Sequence, residues 1–222
     1  MSTHDRSLYL KYAEALSHPG DFSSNASIFF AQDADINVVH PFNQLAGADA
    51  YLNEFLLPLQ HSFQGLYRRD DIFMVGEFKG QNWISSTGYY VGQFVRDWIG
   101  LNATKTLCYL RYGEFHRIEN DQAVESYIYL DIPELMIACN QWPLDMSPGH
   151  SRGYTGLIQG PASRDGVLIS SSDPAEGQKS YQIVTDMLDK LATKDEAWRP
   201  YWHKNMMWYG PGAFGSFIGV DE

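Results

Sequence analysis

Residues 104–131 read TKTLCYLRYGEFHRIENDQAVESYIYLD, two alternating runs that meet at Asn120-Asp121. Asn and Asp tolerate the positive φ of a two-residue turn, so this stretch predicts a β-hairpin closed by Glu119 and Gln122. Because side chains alternate along a strand, one face should gather titratable and hydroxyl groups that can line a pocket. The pairs predicted on that face are His116–Glu125, Glu114–Tyr127, Tyr112–Tyr129 and Leu110–Asp131. The apolar residues expected to form core on the other face are Leu107, Phe115, Val124, Ile128 and Leu130.

The composition is that of a folded, acidic protein. The chain has 222 residues, 44% of them apolar and 14% aromatic, with a net charge of −11. An acidic chain repels phosphate, which argues against nucleic acid as a partner. No apolar run approaches the roughly 20 residues of a membrane span, and the N-terminus lacks a signal-peptide pattern, so a cytoplasmic location without membrane attachment is expected. Cys108 and Cys139 are expected to be free, buried thiols.

Periodicity predicts helices followed by a run of long strands. Helices are expected at Ser7–His18, at 22–31, at Ala48–Phe63 with a kink at Pro58, and from Asp131 to about Cys139. Strands are expected at Ala34–Phe42, Leu66–Phe78 and Asn82–Val95, and in the hairpin. Helices segregated from a strongly curved antiparallel sheet indicate the α+β class. Gly88, Gly92 and Gly113 inside strands predict bulges or bends.

The chain is expected to carry one whole domain and part of a second. Residues 1–142 hold all the elements above, and the Gly-, Ser- and Pro-rich stretch 143–179 is typical of a linker or extension. Residues 180–222 repeat the order of the first elements: Trp208-Tyr209-Gly210-Pro211 corresponds to Val38-Val39-His40-Pro41, and Gly219-Val220-Asp221 to Gly47-Ala48-Asp49. The interpretation is a truncated second copy whose aromatic residues need cover from elsewhere.

Several local patterns between residues 7 and 142 resemble the SnoaL-like polyketide cyclase and ester cyclase group of the nuclear-transport-factor-2-like superfamily. The carriers are DINVVHPF at 35–42, GADA at 47–50, Ser86-Thr87-Gly88 with Tyr90-Val91-Gly92, and His116–Asp121 followed by Val124–Tyr127 and Asp131. The resemblance implies a cystatin-like α+β roll, in which a cone of curved sheet closed by N-terminal helices surrounds an apolar pocket. It also implies acid–base chemistry without metal or cofactor, by an Asp near the end of the last strand, a position that Asp131 matches.

Asp131 and His40 are the candidate catalytic residues. Asp131 would move the proton, or alternatively cap the helix that follows, since it stands two residues before Pro133. His40 would polarise a substrate oxygen, or alternatively be satisfied by local backbone. His116 is interpreted as a surface cross-strand partner of Glu125. The seven histidines have no metal-ligand spacing, so no metal is expected. The aromatic residues expected to line a substrate pocket are Trp83, Tyr90, Tyr109, Tyr112, Tyr127 and Tyr129.

Two hypotheses of different class follow. The first is a cyclase, isomerase or hydrolase acting on a small apolar or aromatic molecule. The second is a non-catalytic ligand-binding or dimerisation domain of the same fold, and a homodimer is expected in either case. Convergence of Asp131 and His40 on an enclosed cavity would favour the enzyme. A capping Asp131 and a cone filled by side chains would favour the binding or structural role.

Overall fold

The chain divides into two compact units. The computed structural model describes residues 3–15, 26, 28–144, 160, 163–167, 173–193 and 196–221. Unit 1 comprises Met1–Pro143 and Gln159–Ser170, and unit 2 comprises Leu144–Ile158 and Ser171–Glu222. None of the described helices is both long enough and apolar enough to cross a bilayer.

Unit 1 is built on a seven-stranded sheet, and the predicted α+β roll is confirmed. The strands are β1 (Phe30–Val38), β2 (Asn43–Ala46), β3 (Phe63–Phe78), β4 (Gln81–Phe94), β5 (Leu107–Glu119), β6 (Gln122–Leu130) and β7 (Gly166–Val167). Their order is β2-β1-β6-β5-β4-β3-β7. Neighbours are antiparallel except β1 with β6 and β3 with β7. The short strands β2 and β7 were not predicted, and β7 lies in the stretch predicted as a linker.

The β5–β6 hairpin forms at the predicted turn, but the predicted pairing of its two strands is wrong beyond the first two pairs. Asn120 and Asp121 both have positive φ, and Glu119 faces Gln122 as expected. A register shift between Arg117 and Ile118 then leaves Val124 as an extra residue. A bulge of this kind moves every later residue of β6 by one position, which exchanges the two faces.

The exchange corrects the predicted pairs and the predicted core. His116 faces Ser126 rather than Glu125, Glu114 faces Ile128 rather than Tyr127, and Tyr112 faces Leu130 rather than Tyr129. The Asp131 amide donates to the carbonyl of Arg111, so Leu110 is not its partner. The expected core residues Leu107 and Phe115 are exposed, while Ile128 and Leu130 are buried on the same face as His116.

The helices close one side of the sheet. They are α1 (Thr3–Ala15), α2 (Gly47–Ala50), a π-helical turn (Tyr51–Leu56), α3 (Leu57–Ser62) and α4 (Ile132–Ala138). The helix predicted at Ala48–Phe63 therefore changes its winding one residue before Pro58, which cannot donate the backbone hydrogen bond of a continuous α-helix. Part of the helices predicted at 7–18 and 22–31 lies outside the described residues, and Phe30 and Ala31 already belong to β1. The strand predicted to reach Phe42 ends at Val38, before a turn with a cis His40–Pro41 bond.

Aromatic side chains fill the interior of unit 1. Tyr9 and Tyr12 of α1 are fully buried, and their rings stack on Phe73 and Phe29 at centroid distances of 4.9 and 4.5 Å. Other large, fully buried side chains are Phe30, Ile36, Tyr51, Phe55, Leu56, Phe94 and Tyr112. Cys108 and Cys139 are free and buried, as predicted.

Unit 2 contains a long helix and a short hairpin. Helix α5 (Pro174–Leu191) begins after Asp173, whose carboxylate caps it by accepting from the amide of Ala175. The hairpin pairs β8 (Met207–Trp208) with β9 (Phe217–Ile218). Most of the predicted linker lies outside the described residues, and the assignment of 180–222 as a second copy stays a prediction.

Candidate functional site

A group of polar side chains lies in the middle of the apolar interior of unit 1. We call it the interior array, and it consists of Arg68, Asp70, Ser86, Tyr112, Glu114, His116 and Ser126. None of these side chains belongs to a residue that is more than 6% exposed, and Glu114, His116 and Ser126 are completely buried. Such burial is rare for charged groups unless they are paired.

Strand β3 turns Arg68 and Asp70 inward next to a bulge. The two residues share a face because they stand two positions apart, and a register shift between Asp70 and Ile72 makes Asp71 the extra residue. Inward alternation resumes at Phe73, which is fully buried. Gly88 faces Asp70 across the bulge, and a Cβ there would lie 1.9 Å from the carbonyl oxygen of Arg69. The bulge predicted near Gly88 is therefore present, and it needs a residue without a side chain.

Arg68 is the centre of the array. Its Nη1 donates to Oε1 of Glu114 at 2.7 Å and its Nη2 to Oε2 at 3.1 Å, the two-pronged geometry that suits a carboxylate. Nη2 also donates to Asp70 at 3.0 Å. The guanidinium carbon lies 4.1 Å from the ring centroid of Tyr112, within cation–π range. One cation thus binds both buried carboxylates.

Glu114 continues the network toward β6. His116, two residues along β5 on the same face, lies with Nε2 3.1 Å from Oε2 of Glu114. Its Nδ1 lies 2.9 Å from Oγ of Ser126, the cross-strand partner that the Val124 bulge brings opposite. An ionised Glu114 accepts from Nε2–H, and the network then assigns Nδ1 as the acceptor of the Ser126 hydroxyl proton. A Ser–His–acid hydrolase triad uses the two ring nitrogens the other way round.

Asp70 is held by hydroxyl groups as well as by Arg68. Its Oδ1 accepts from Oη of Tyr112 at 2.5 Å and from Oγ of Ser86 at 2.8 Å. Burial raises the pKa of this carboxyl, but the attraction of Arg68 and these hydrogen bonds outweigh it and hold the pKa below its usual value.

The charges of the array do not balance. Burial would raise the pKa of Glu114, yet the charge of Arg68 and the hydrogen bond from His116 lower it to about 2. Burial raises the pKa of Tyr112 well above its usual value, so its hydroxyl stays protonated. Two carboxylates beside one guanidinium leave one excess negative charge, unless His116 carries a proton.

Asp131 and His40 lie outside the array. Asp131 is the N-cap of α4, and its Oδ1 accepts from the amide of Glu134 at 3.1 Å. His40 is exposed in the turn after β1. The structure thus shows the capping role weighed for Asp131, while the catalytic roles of both residues stay predictions.

The predicted lining aromatics lie on opposite faces of the sheet. Tyr90 and Tyr112 are buried in the interior, and Tyr90 accepts from Nη1 of Arg68 at 3.1 Å. Trp83, Tyr109, Tyr127 and Tyr129 are on the outer face, where Tyr127 and Tyr129 are 36% and 55% exposed. The prediction that Tyr112 shares a face with Tyr127 and Tyr129 is therefore wrong because of the register shift, while the six aromatic residues as a substrate lining stay a prediction. His116, interpreted as a surface residue, is completely buried.

Arg68, Asp70, Ser86 and Ser126 are the members of the array that the sequence interpretation missed. Leu66, Arg68 and Asp70 keep one phase of the strand, but Arg69, Asp71 and Phe73 keep the other, so alternation alone did not choose between them. Within the described part of the chain, no group of three His, Cys, Asp or Glu side chains is arranged to hold a metal ion.

Solved structures resemble unit 1 in fold. A candidate SnoaL-like polyketide cyclase from Jannaschia sp. CCS1 matches with a TM-score of 0.54 at 12% identity, over 64% of this chain and 94% of that one. AclR, a candidate hydroxylase from Streptomyces galilaeus, matches at 0.52 and 16% identity, over 66% and 91%. A candidate polyketide cyclase from Xanthomonas campestris matches at 0.51 and 21%, over 62% and 99%. No family model and no curated protein matches the sequence. The predicted resemblance is confirmed, and at these identities it establishes the fold.

Proposed function

We propose that unit 1 binds a small molecule inside its cone and that the interior array recognises and acts on the polar end of that molecule. The observation that carries the proposal is the burial of Arg68, Asp70, Glu114 and His116 at the centre of an aromatic core. Removing ions from water costs several kcal/mol per group, and apolar side chains of similar volume avoid that cost. Titratable groups kept at such a cost are typical of functional sites.

The geometry suits proton transfer by His116. The ionised Glu114 orients the ring through Nε2–H and would stabilise the imidazolium that forms, so Nδ1 is the nitrogen that takes a proton. Ser126 lies on that nitrogen and would relay the proton from a bound molecule. Arg68 fixes both carboxylates, and the surrounding aromatic rings would hold an apolar or aromatic ligand.

The reaction class that fits is proton abstraction from, or protonation of, a small carbonyl or hydroxyl compound. Cyclisation and isomerisation by acid–base chemistry need no more than a positioned base and a dry pocket. The names of two structural neighbours, which are candidate cyclases, agree with this class.

A ligand screen with matched variants tests the proposal. Aromatic polyketide and terpenoid compounds are screened by thermal shift, and each hit is titrated against Glu114→Gln and His116→Asn. We expect affinity or turnover to fall at least tenfold, because each change breaks a hydrogen bond to a charged group. Glu125→Gln is the control, since Glu125 also pairs with an arginine, Arg117, but on the outer face. Equal binding and turnover by all the variants would contradict the proposal.

Asp131→Asn belongs in the same assay, because Asn can keep the helix cap while removing the acid. If this change abolishes turnover and His116→Asn does not, Asp131 is the catalytic residue and the array is structural.

A second candidate function is a non-catalytic association domain. Two observations favour it: Asp131 caps α4, and large side chains form a buried cluster in the interior. A third is the outer face of the sheet, which exposes Phe115, Tyr127 and Tyr129 together. A homodimer through this face is compatible with either function.

A further inference from the structure

Tyr9 places a phenol inside the interior array from a separate element, helix α1. Its hydroxyl accepts from Nη2 of Arg68 at 2.5 Å and donates to Asp70 at 3.3 Å, with Oε2 of Glu114 at 3.5 Å. The side chain is fully buried. The array thus makes a polar notch for one hydroxyl group, and Tyr9 fills it.

The ring of Tyr9 occupies a flat slot that leads to this notch. Phe73 stacks on one face of the ring, with centroids 4.9 Å apart and planes 10° apart. Phe29 and Tyr12 contact it edge-on, at 5.8 and 6.1 Å. A stacked face, two edges and a hydroxyl notch match a single hydroxylated aromatic ring.

The charge of the notch selects a neutral hydroxyl over an anion. While His116 is neutral, Arg68 is the one cation of the array and faces two carboxylates, so an added carboxylate or phenolate would meet an excess of negative charge in a dry environment. A neutral O–H can donate to Asp70 or Glu114 while its oxygen accepts from Arg68, as Tyr9 does. Burial keeps the pKa of Tyr9 well above its usual value, which leaves that proton in place.

We propose that Tyr9 is a built-in substitute for the ligand: α1 closes the slot, and a neutral hydroxyaromatic ring binds by displacing the Tyr9 side chain. The proposal rests on the proposed function in one respect, the assignment of the interior as the binding site. It adds the ligand class and the element that must move. The apparent affinity of such a ligand includes the free energy of displacing Tyr9, so weakening Tyr9 should tighten binding.

The first experiment opens the slot by Tyr9→Ala and adds p-cresol, the side-chain analogue of tyrosine. We expect p-cresol to bind Tyr9→Ala and to raise its melting temperature in a saturable way. Toluene has the same ring without the hydroxyl, and 4-methylbenzoate presents an anion; both are expected to bind at least tenfold more weakly. If toluene binds as tightly as p-cresol, the cavity is apolar and has no polar notch. If p-cresol does not bind the folded variant, there is no slot for an aromatic ring. Either result overturns the proposal.

The second experiment uses variants that keep the ring, and it decides the matter if Tyr9→Ala does not fold. Tyr9→Phe removes the hydrogen bonds to the array, so p-cresol should bind about tenfold more tightly than to the wild type. Tyr12→Phe is the matched control on the same helix, because the hydroxyl of Tyr12 bonds that of Tyr51, 3.1 Å away, and both groups are neutral. Its effect should be smaller than threefold. If the affinity for p-cresol rises equally in the two variants, binding depends on a general weakening of the packing of α1 and p-cresol does not enter the notch.

The His116 ring separates failure of this proposal from failure of the proposed function. The ¹⁵N resonances of His116 are recorded with p-cresol and with any hit from the compound screen. If a hit shifts them and depends on Glu114 while p-cresol never competes with Tyr9, the interior is a binding site but Tyr9 is not its substitute. If no compound shifts them, both proposals fail together.

Discussion

Glu114 is a carboxylate that stays ionised away from water, and Arg68 is the main reason. Two hydrogen bonds from Arg68, at 2.7 Å to Oε1 and 3.1 Å to Oε2, offset the desolvation of the Glu114 carboxylate. His116 also bonds Oε2. Removing Arg68 would leave two buried negative charges without a cation, a loss that costs several kcal/mol in other proteins. The free energy of unfolding should therefore depend on the ionisation of Glu114.

Acid should destabilise the protein through Glu114. Its pKa in the folded state is about 2 against 4.5 for the free side chain, so its contribution is present above about pH 4.5 and is lost as the pH falls toward 2. The difference corresponds to about 3 kcal/mol. Urea unfolding of wild type and Glu114→Gln between pH 5 and pH 2 measures it, and the wild type should lose about 3 kcal/mol more than the variant.

Glu125→Gln is the control for this prediction, since the Arg117–Glu125 pair is partly exposed and such pairs contribute less than about 1 kcal/mol. Parallel pH curves for wild type and Glu114→Gln would show that Arg68 does not hold the Glu114 charge.

At this scale the sequence could identify the residue types of the array but not their orientation. Residues 68–71 read Arg-Arg-Asp-Asp, so either phase of the strand offers an Arg followed two positions later by an Asp. The structure buries Arg68 and Asp70 and pairs Arg69 with Asp71 on the other side. Propensity cannot distinguish the two phases; the packing of Leu66 and Phe73 and the bulge between them decide.

Single extra residues determine which face each strand presents. The turn at Asn120-Asp121 could be predicted from positive-φ preferences, and the order of helices and strands followed from periodicity. The bulge at Val124 has no comparable local signal, because β6 contains no Gly to mark it. One unrecognised residue placed Tyr127 and Tyr129 on the predicted pocket face and made Glu125, in place of Ser126, the predicted partner of His116.

Gly88 should be required for the β3 bulge that orients Asp70. A Cβ at this position would lie 1.9 Å from the Arg69 carbonyl oxygen and 2.9 Å from Oη of Tyr112. Gly88→Ala must therefore push β3 away or remove the bulge, and we expect a loss of about 2–3 kcal/mol in urea unfolding. Gly113→Ala, on the neighbouring strand, is the control, because nothing lies within 4 Å of its Cβ. If both variants lose a similar free energy of unfolding, the close approach of Gly88 to the Arg69 carbonyl is not the cause of the loss.

The outer face of unit 1 carries exposed apolar side chains. They are Ile72 and Met74 on β3, and Phe115, Tyr127 and Tyr129 on β5 and β6. The small residues Ser85, Thr87 and Gly113 lie on β4 and β5 between them. Exposed apolar side chains grouped on one face are typical of interaction sites. Such a face can pair with a second copy of itself about a two-fold axis.

We predict that two copies of the chain form a homodimer through this face. Light scattering should give about twice the chain mass of 25.2 kDa for the wild type. Phe115→Glu, in the middle of the face, brings two charges together near the axis and leaves them without water, so the mass should fall to that of one chain. Ile28→Glu also changes an exposed apolar residue, but one that lies just before β1, and it should leave the dimer intact. A wild-type protein with the mass of one chain, or a dimer that survives Phe115→Glu, would show that this face does not hold two copies together.

Because the interior array lies on the opposite side of the same strands, Phe115→Glu should also leave p-cresol binding to Tyr9→Phe unchanged. Association and ligand binding are then separable properties of one sheet.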